Sequence, residues 1–126
     1  MVHPNSIAKA LPLLDLDVLS HLEQQLNDAR PARAFARDYI TGFEGRYLRL
    51  TSSIGDRDLP AALDAALSLR NSSTMVGAAR LSAMAAEFET AVSSSDLDTA
   101  RDVLPVIERC GLDTILELEA RYLAAG

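Results

Sequence analysis

Apolar positions recur at spacings of three and four along almost the whole chain, and no stretch alternates as a half-buried strand does. Four or five helices are predicted. The first runs from Leu16 to Asn27, with Val18, Leu19, Leu22 and Leu26 as its apolar stripe and Asp15 as its cap. The second starts near Pro31, a residue suited to a first helical turn, and stops at Gly55. Its stripe is Phe35, Tyr39, Ile40, Phe43, Tyr47, Leu50 and Ile54. Gly42 and Gly45 lie inside it at a cost of about 1 kcal/mol each, which predicts close packing or close approach by a partner there. The third helix is capped by Asp58, has Pro60 in its first turn, and turns Leu59, Ala62, Ala66, Leu69 and Ser73 to one face. It is expected to loosen within Ser72-Ser73-Thr74-Met75-Val76, because hydroxyl side chains compete for backbone groups. The fourth begins near Gly77, carries Ala78, Leu81, Met84, Phe88, Ala91 and Val92, and ends at Ser93-Ser94-Ser95. The fifth opens on a capping-box-like Ser95 and Asp98. It carries Leu97, Ala100, Leu104, Ile107, Gly111, Ile115, Leu118 and Tyr122, and Pro105 inside it is expected to kink or divide it.

Four amphipathic helices joined by short connections bury their stripes together most simply as an all-α, up-and-down antiparallel four-helix bundle. The short first helix is expected to cover one end. A chain of 126 residues suits one core. Residues 1–14 are expected as a flexible tail and 15–126 as the domain.

Composition narrows the function classes. Net charge is −6, and the densest basic group, Arg33, Arg37, Arg46 and Arg49, is interleaved with Asp38 and Glu44. That is a solvated helix face and not a phosphate-binding stripe, so no nucleic-acid partner is expected. No apolar run reaches the roughly 18–20 residues that span a membrane, and the N-terminus lacks a leader pattern. Cys110 is the only cysteine, which excludes an internal disulfide and fits a reducing compartment. A soluble cytoplasmic protein is expected. No catalytic chemistry, cofactor or metal site is expected either: CxxC, HExxH and Gly-rich phosphate loops are absent. Asp56 and Asp58 read as a turn and a cap, and Met75 and Met84 as core filler.

The stretch "ALSLRNSSTMVGAARL", residues 66–81, carries the most specific pattern. It resembles the signature of histidine phosphotransfer domains, Ala-His-x-Leu-Lys-Gly-Ser-Ser-x-x-x-Gly-Ala followed by Leu. Ala66, Leu69, Ser72, Ser73, Gly77, Ala78 and Leu81 match; Arg70 stands at the family's lysine and Asn71 at its glycine. The likeness extends over about residues 15–123, through Phe43 and its surroundings, "DRDLPAALDAAL" and "FETAVSSSDLDTA". It implies a four-helix bundle in a phosphorelay, with response-regulator receiver domains or a histidine kinase as partners. It also implies that Leu67 stands where the phosphoacceptor histidine should be. Leucine has no lone pair and cannot take a phosphoryl group.

At 100° per residue, Leu67 falls at the flank of the third helix's buried stripe. Two readings follow. Leu67 extends the core edge beside Leu63, or it centres a retained docking patch with Pro60, Leu63, Asp64, Arg70, Asn71 and Thr74, in which Arg70 meets a partner's acidic groups. The docking patch points to a non-catalytic phosphotransfer-like protein. Two alternatives stand beside it. One is a relay through His21, a histidine read as lying on the surface of the first helix. The other is an oligomeric bundle in which Leu112, Leu116 and Leu123, outside the main stripe, bury against a second copy.

Overall fold

A computed structural model describes residues 8–124. Five α-helices follow one another: α1 Leu16–Leu26, α2 Arg30–Gly55, α3 Leu59–Val76, α4 Ala79–Ser93 and α5 Leu97–Glu117, the last running into a π-helical end, Leu118–Leu123. The chain is all-α, with no strand among the described residues. α2 lies against α3, α3 against α4, α4 against α5, and α5 returns to α2, so the four long helices form a closed cycle of neighbours. α1 touches α2 and α3. Tyr39, Phe43, Leu50, Leu69, Leu81, Phe88 and Ile107 belong to one shared core.

The helix limits follow from local chemistry. The Asp15 carboxylate accepts the Asp17 amide at 3.0 Å, and Asn27 closes α1 in the left-handed region. The Asp58 carboxylate accepts the Ala61 amide at 3.1 Å, and Pro60 occupies the first turn of α3. α3 does not loosen at its serines. The Ser72 hydroxyl donates to the Ser68 carbonyl at 2.8 Å and the Thr74 hydroxyl to the Arg70 carbonyl at 2.9 Å, so both supplement the ladder and neither replaces it. Pro105 does not divide α5. The carbonyl it leaves without an amide belongs to Arg101, one turn back, and both residues are exposed, where water can bond it. The cap of α5 is Asp96 and not Ser95. Asp96 accepts from the Thr99 amide and hydroxyl at 3.2 and 2.6 Å, while Ser95 sits in the turn at a φ of 58°.

Several side chains depart from the periodic reading. Leu26 is exposed, and only Leu19 of α1 is fully buried. Met75, on the side of α3 away from the core, is 56% exposed, whereas Met84 is core. Gly45 has open space around it and Gly42 has only the end of the Arg46 side chain nearby. The tight glycine inside a helix is Gly111, against which the Phe43 ring is packed. The expected tail falls in two parts. Residues 1–7 lie outside the described residues. Residues 8–14 pack against the body: Ala8 and Leu14 are buried, and the Pro12 and Leu11 carbonyls accept from the Arg80 amide and side chain at 3.1 Å each.

The chain end is held by a residue assigned above to a solvated face. Arg33 donates to the Tyr122 and Leu123 carbonyls at 3.3 and 2.8 Å and lies 5.8 Å from the centre of the Tyr122 ring. The Tyr122 hydroxyl in turn donates to the Glu23 carboxylate. Burial and that hydrogen bond push the Tyr122 phenol from 10.0 up to about 12. Tyr39, buried against Ser73, is pushed up too, by burial above all. The folded chain therefore keeps phenol protons that the unfolded chain releases. The stability these phenols contribute is full below about pH 10 and is lost as pH rises above it. A urea midpoint followed from neutral pH upward should decline beyond about pH 10, and less steeply in Tyr122→Phe, which cannot ionise.

Candidate functional site

α3 presents the residues of interest. Its buried set is Ala62, Ala65, Ala66, Leu69, Ser73 and Val76. Ala65 and Val76 shift the middle of that set away from Leu67, which lies roughly 150° from it on a 100° helical wheel. Leu67 is 39% exposed. Leu63 packs on the core, and Leu67 does not join it there. Pro60, Asp64, Asn71 and Thr74 are also exposed, while Arg70 is half-buried.

Five of the seven residues line two neighbouring grooves. Asp64, Leu67 and Asn71 line a shallow groove of about 440 Å³ between α2 and α3, with Arg49 and Ser53 from α2 on the opposite wall. Arg70 and Thr74 line a second groove of about 340 Å³ toward α4, with Ser82, Ala83 and Ala86. Leu67 lies between the two in angle around the helix.

Polar contacts separate the sides further. The Arg70 guanidinium donates to the Glu89 carboxylate of α4 at 2.7 Å. A half-exposed pair of this kind is worth about 0–1 kcal/mol to stability. It nevertheless occupies the cation expected to meet a partner's acidic groups. The Thr74 hydroxyl, already donating to the Arg70 carbonyl, lies 2.7 Å from the Ser82 hydroxyl. Glu89 was not found from sequence, because periodicity names the face of a helix and not the neighbour across from it. Arg49 was placed with a solvated basic group, and no signal in the sequence sets it opposite Leu67.

The residues that match the phosphotransfer signature have structural work to do. Ala66, Leu69, Ala78 and Leu81 are fully buried. Ser73, also fully buried, shares a 2.7 Å hydrogen bond with the Tyr39 hydroxyl of α2. A buried hydroxyl left alone costs about 1–3 kcal/mol, so each of the two satisfies the other. Gly77 ends α3 at a φ of 85°. There its carbonyl accepts the Asp15 amide at 2.8 Å, joining the cap of α1 to the α3–α4 turn.

The other reactive groups are placed as follows. His21 is exposed on α1 and lines neither groove. His3 lies outside the described residues. Cys110 is buried, and burial pushes its thiol up, away from the reactive thiolate. No group of three or more potential metal ligands occurs among the described residues. None of the described helices is long and apolar enough to cross a membrane. On α5, Leu112 and Leu116 are 55% and 64% exposed, while Leu123, beyond it, is half-buried and packs against the core.

Compared with protein-family models, curated proteins and solved structures, the chain matches none. The phosphotransfer likeness therefore stands on the residues of this chain alone.

Proposed function

We propose that this chain is a phosphotransfer-like signalling protein that carries no phosphate. In this reading it is an up-and-down antiparallel four-helix bundle that docks a response-regulator receiver domain, or a histidine kinase, through the face around Leu67. The closed cycle of helix neighbours and the two- or three-residue connections between α2 and α5 support the antiparallel arrangement. One observation carries the functional part: Leu67, at the position that the resemblance gives to the acceptor, is on the solvent side of α3 and apart from the core. Such a protein occupies a receiver without exchanging phosphate with it, and so acts as competitor or adaptor in a relay.

Magnitudes limit what Leu67 does alone. Full burial of a leucine is worth about 1.5–3 kcal/mol, and Leu67 has only part of its surface left to bury. A micromolar complex needs about 8 kcal/mol. The partner must therefore cover the grooves on both sides of Leu67 and use their charges. Incubation with a phosphorylated receiver tests the absence of relay. The expected result is binding without acid-labile label on this chain. Label that disappears in His21→Ala would establish a relay through His21 and overturn the proposal.

A second reading draws on Leu112 and Leu116, which α5 leaves exposed a turn apart. Burying them against a second copy would make the chain an oligomeric bundle. Light scattering across a wide concentration range decides it: a mass that rises with concentration supports the oligomer, and a constant monomer mass removes it.

A further inference from the structure

The groove beside Leu67 has a cation of its own. Arg49 stands on its α2 wall, facing Asp64, Leu67 and Asn71 on the α3 wall. Arg49 is exposed, and its guanidinium makes no ion pair or hydrogen bond among the described residues. Its backbone is fixed in the helix, and its carbonyl accepts the Ser53 hydroxyl at 2.6 Å. Arg70 is in the opposite condition. It lines the other groove, and Glu89 holds its guanidinium at 2.7 Å.

We infer that Arg49 of α2, and not Arg70 of α3, is the cation this face offers to a partner's carboxylates. The inference rests on the docking reading above and names the charge pattern that the partner must bring. A carboxylate approaching Arg70 meets a guanidinium whose charge Glu89 already offsets, and is itself repelled by Glu89, so less is gained. A carboxylate approaching Arg49 meets a cation that has no ion pair to give up. Asp64, across the same groove, is the one carboxylate lining it, and it repels a second acid placed on the α3 side. The groove thus orients its partner. An acidic group belongs over the α2 wall, an apolar contact over Leu67, and a cation or hydrogen-bond donor over Asp64.

The full chain is titrated calorimetrically, at low and at moderate salt, with the receiver domains encoded in the same genome. The tightest-binding receiver is then used for the variants. Arg49→Gln is expected to weaken binding by about five- to tenfold and to flatten the salt dependence, as loss of a steering charge does. Arg49→Lys restores most of the affinity, and Arg70→Gln changes it less than about twofold. Arg49 is exposed, so a melting curve like that of the wild type is the control for folding. Equal affinity in Arg49→Gln and wild type, or a larger loss in Arg70→Gln, overturns the inference and leaves the docking reading standing. If the wild-type chain binds no receiver, the docking reading falls and takes the inference with it.

Discussion

Gly77→Ala is expected to destabilise the chain by about 3 kcal/mol or more, one of the largest effects a single methyl group can have. Two costs add. The backbone at Gly77 has a φ of 85°, which costs an L side chain about 1–2 kcal/mol. The added Cβ would also fall well inside 3.0 Å of the Asp15 carbonyl oxygen, and within 3.2 Å of the Val18 Cβ. The oxygen belongs to the backbone at the cap of α1, so relief requires α1 to move. Movement breaks the bond between the Asp15 amide and the Gly77 carbonyl. Urea unfolding should show a midpoint lower by about 1–2 M, from the usual slopes for chains of this size. Amide exchange in α1 should quicken before exchange in α3 or α4. A midpoint within a few tenths molar of wild type would mean that the α1 cap does not lie where the structure puts it.

Gly111→Ala should cost about 2 kcal/mol, although alanine is the better helix former by about 1 kcal/mol. The added Cβ would overlap the Phe43 ring, which is buried and packed against the α5 backbone at that point. Either the ring leaves its rotamer or α2 and α5 separate. A double-mutant cycle identifies the cause. Phe43→Leu removes the atoms that collide, so Gly111→Ala should be neutral or stabilising in that background. If the penalty is unchanged there, the contact between Phe43 and Gly111 is not its source.

These two glycines show where sequence is legible and where it is not. Gly77 was placed at the start of the fourth helix, whereas it closes α3 in the left-handed region and meets Asp15, so the sequence located the turn and not the job of its glycine. Gly111 could be placed on the buried stripe, but nothing near it in sequence says that a ring 68 positions away fills the space it leaves. Gly42 and Gly45 show the converse: two glycines in a helix suggested close packing, and within the chain only the end of the Arg46 side chain comes near, at Gly42. Caps were legible to within a residue, since Asp15, Asp58 and Pro31 act on their own neighbours, and Asp96 against Ser95 was a choice between adjacent acceptors.

The candidate site divides in the same way. Its angle on α3 put Leu67 at the flank of the stripe, between core edge and surface, and the inclusion of Ala65 and Val76 in the buried set turns it further from the core than the stripe alone suggested. What surrounds Leu67 was not legible. Glu89 reaches Arg70 from α4 and Arg49 faces Leu67 from α2. Both depend on which helices are neighbours and how each is rotated. The signature residues posed a different difficulty. Ser73 and Gly77 look like marks of phosphotransfer, and each also satisfies a demand of packing or backbone geometry here. A sequence match at such positions speaks for the scaffold more than for the chemistry, and the proposed function rests on Leu67.

In the proposed function a partner docks over Leu67. That docking is tested most directly by titrating receiver domains into the wild-type chain and into Leu67→Arg, with melting curves to confirm that both are folded. Leu67 is off the core, so the variant should melt within a few degrees of wild type. Binding of at least one receiver in the micromolar range, weakened about tenfold or more in Leu67→Arg, is the result predicted, since a charge forced into an apolar contact must be desolvated there. No receiver binding tighter than millimolar, or equal binding by wild type and Leu67→Arg, would contradict it.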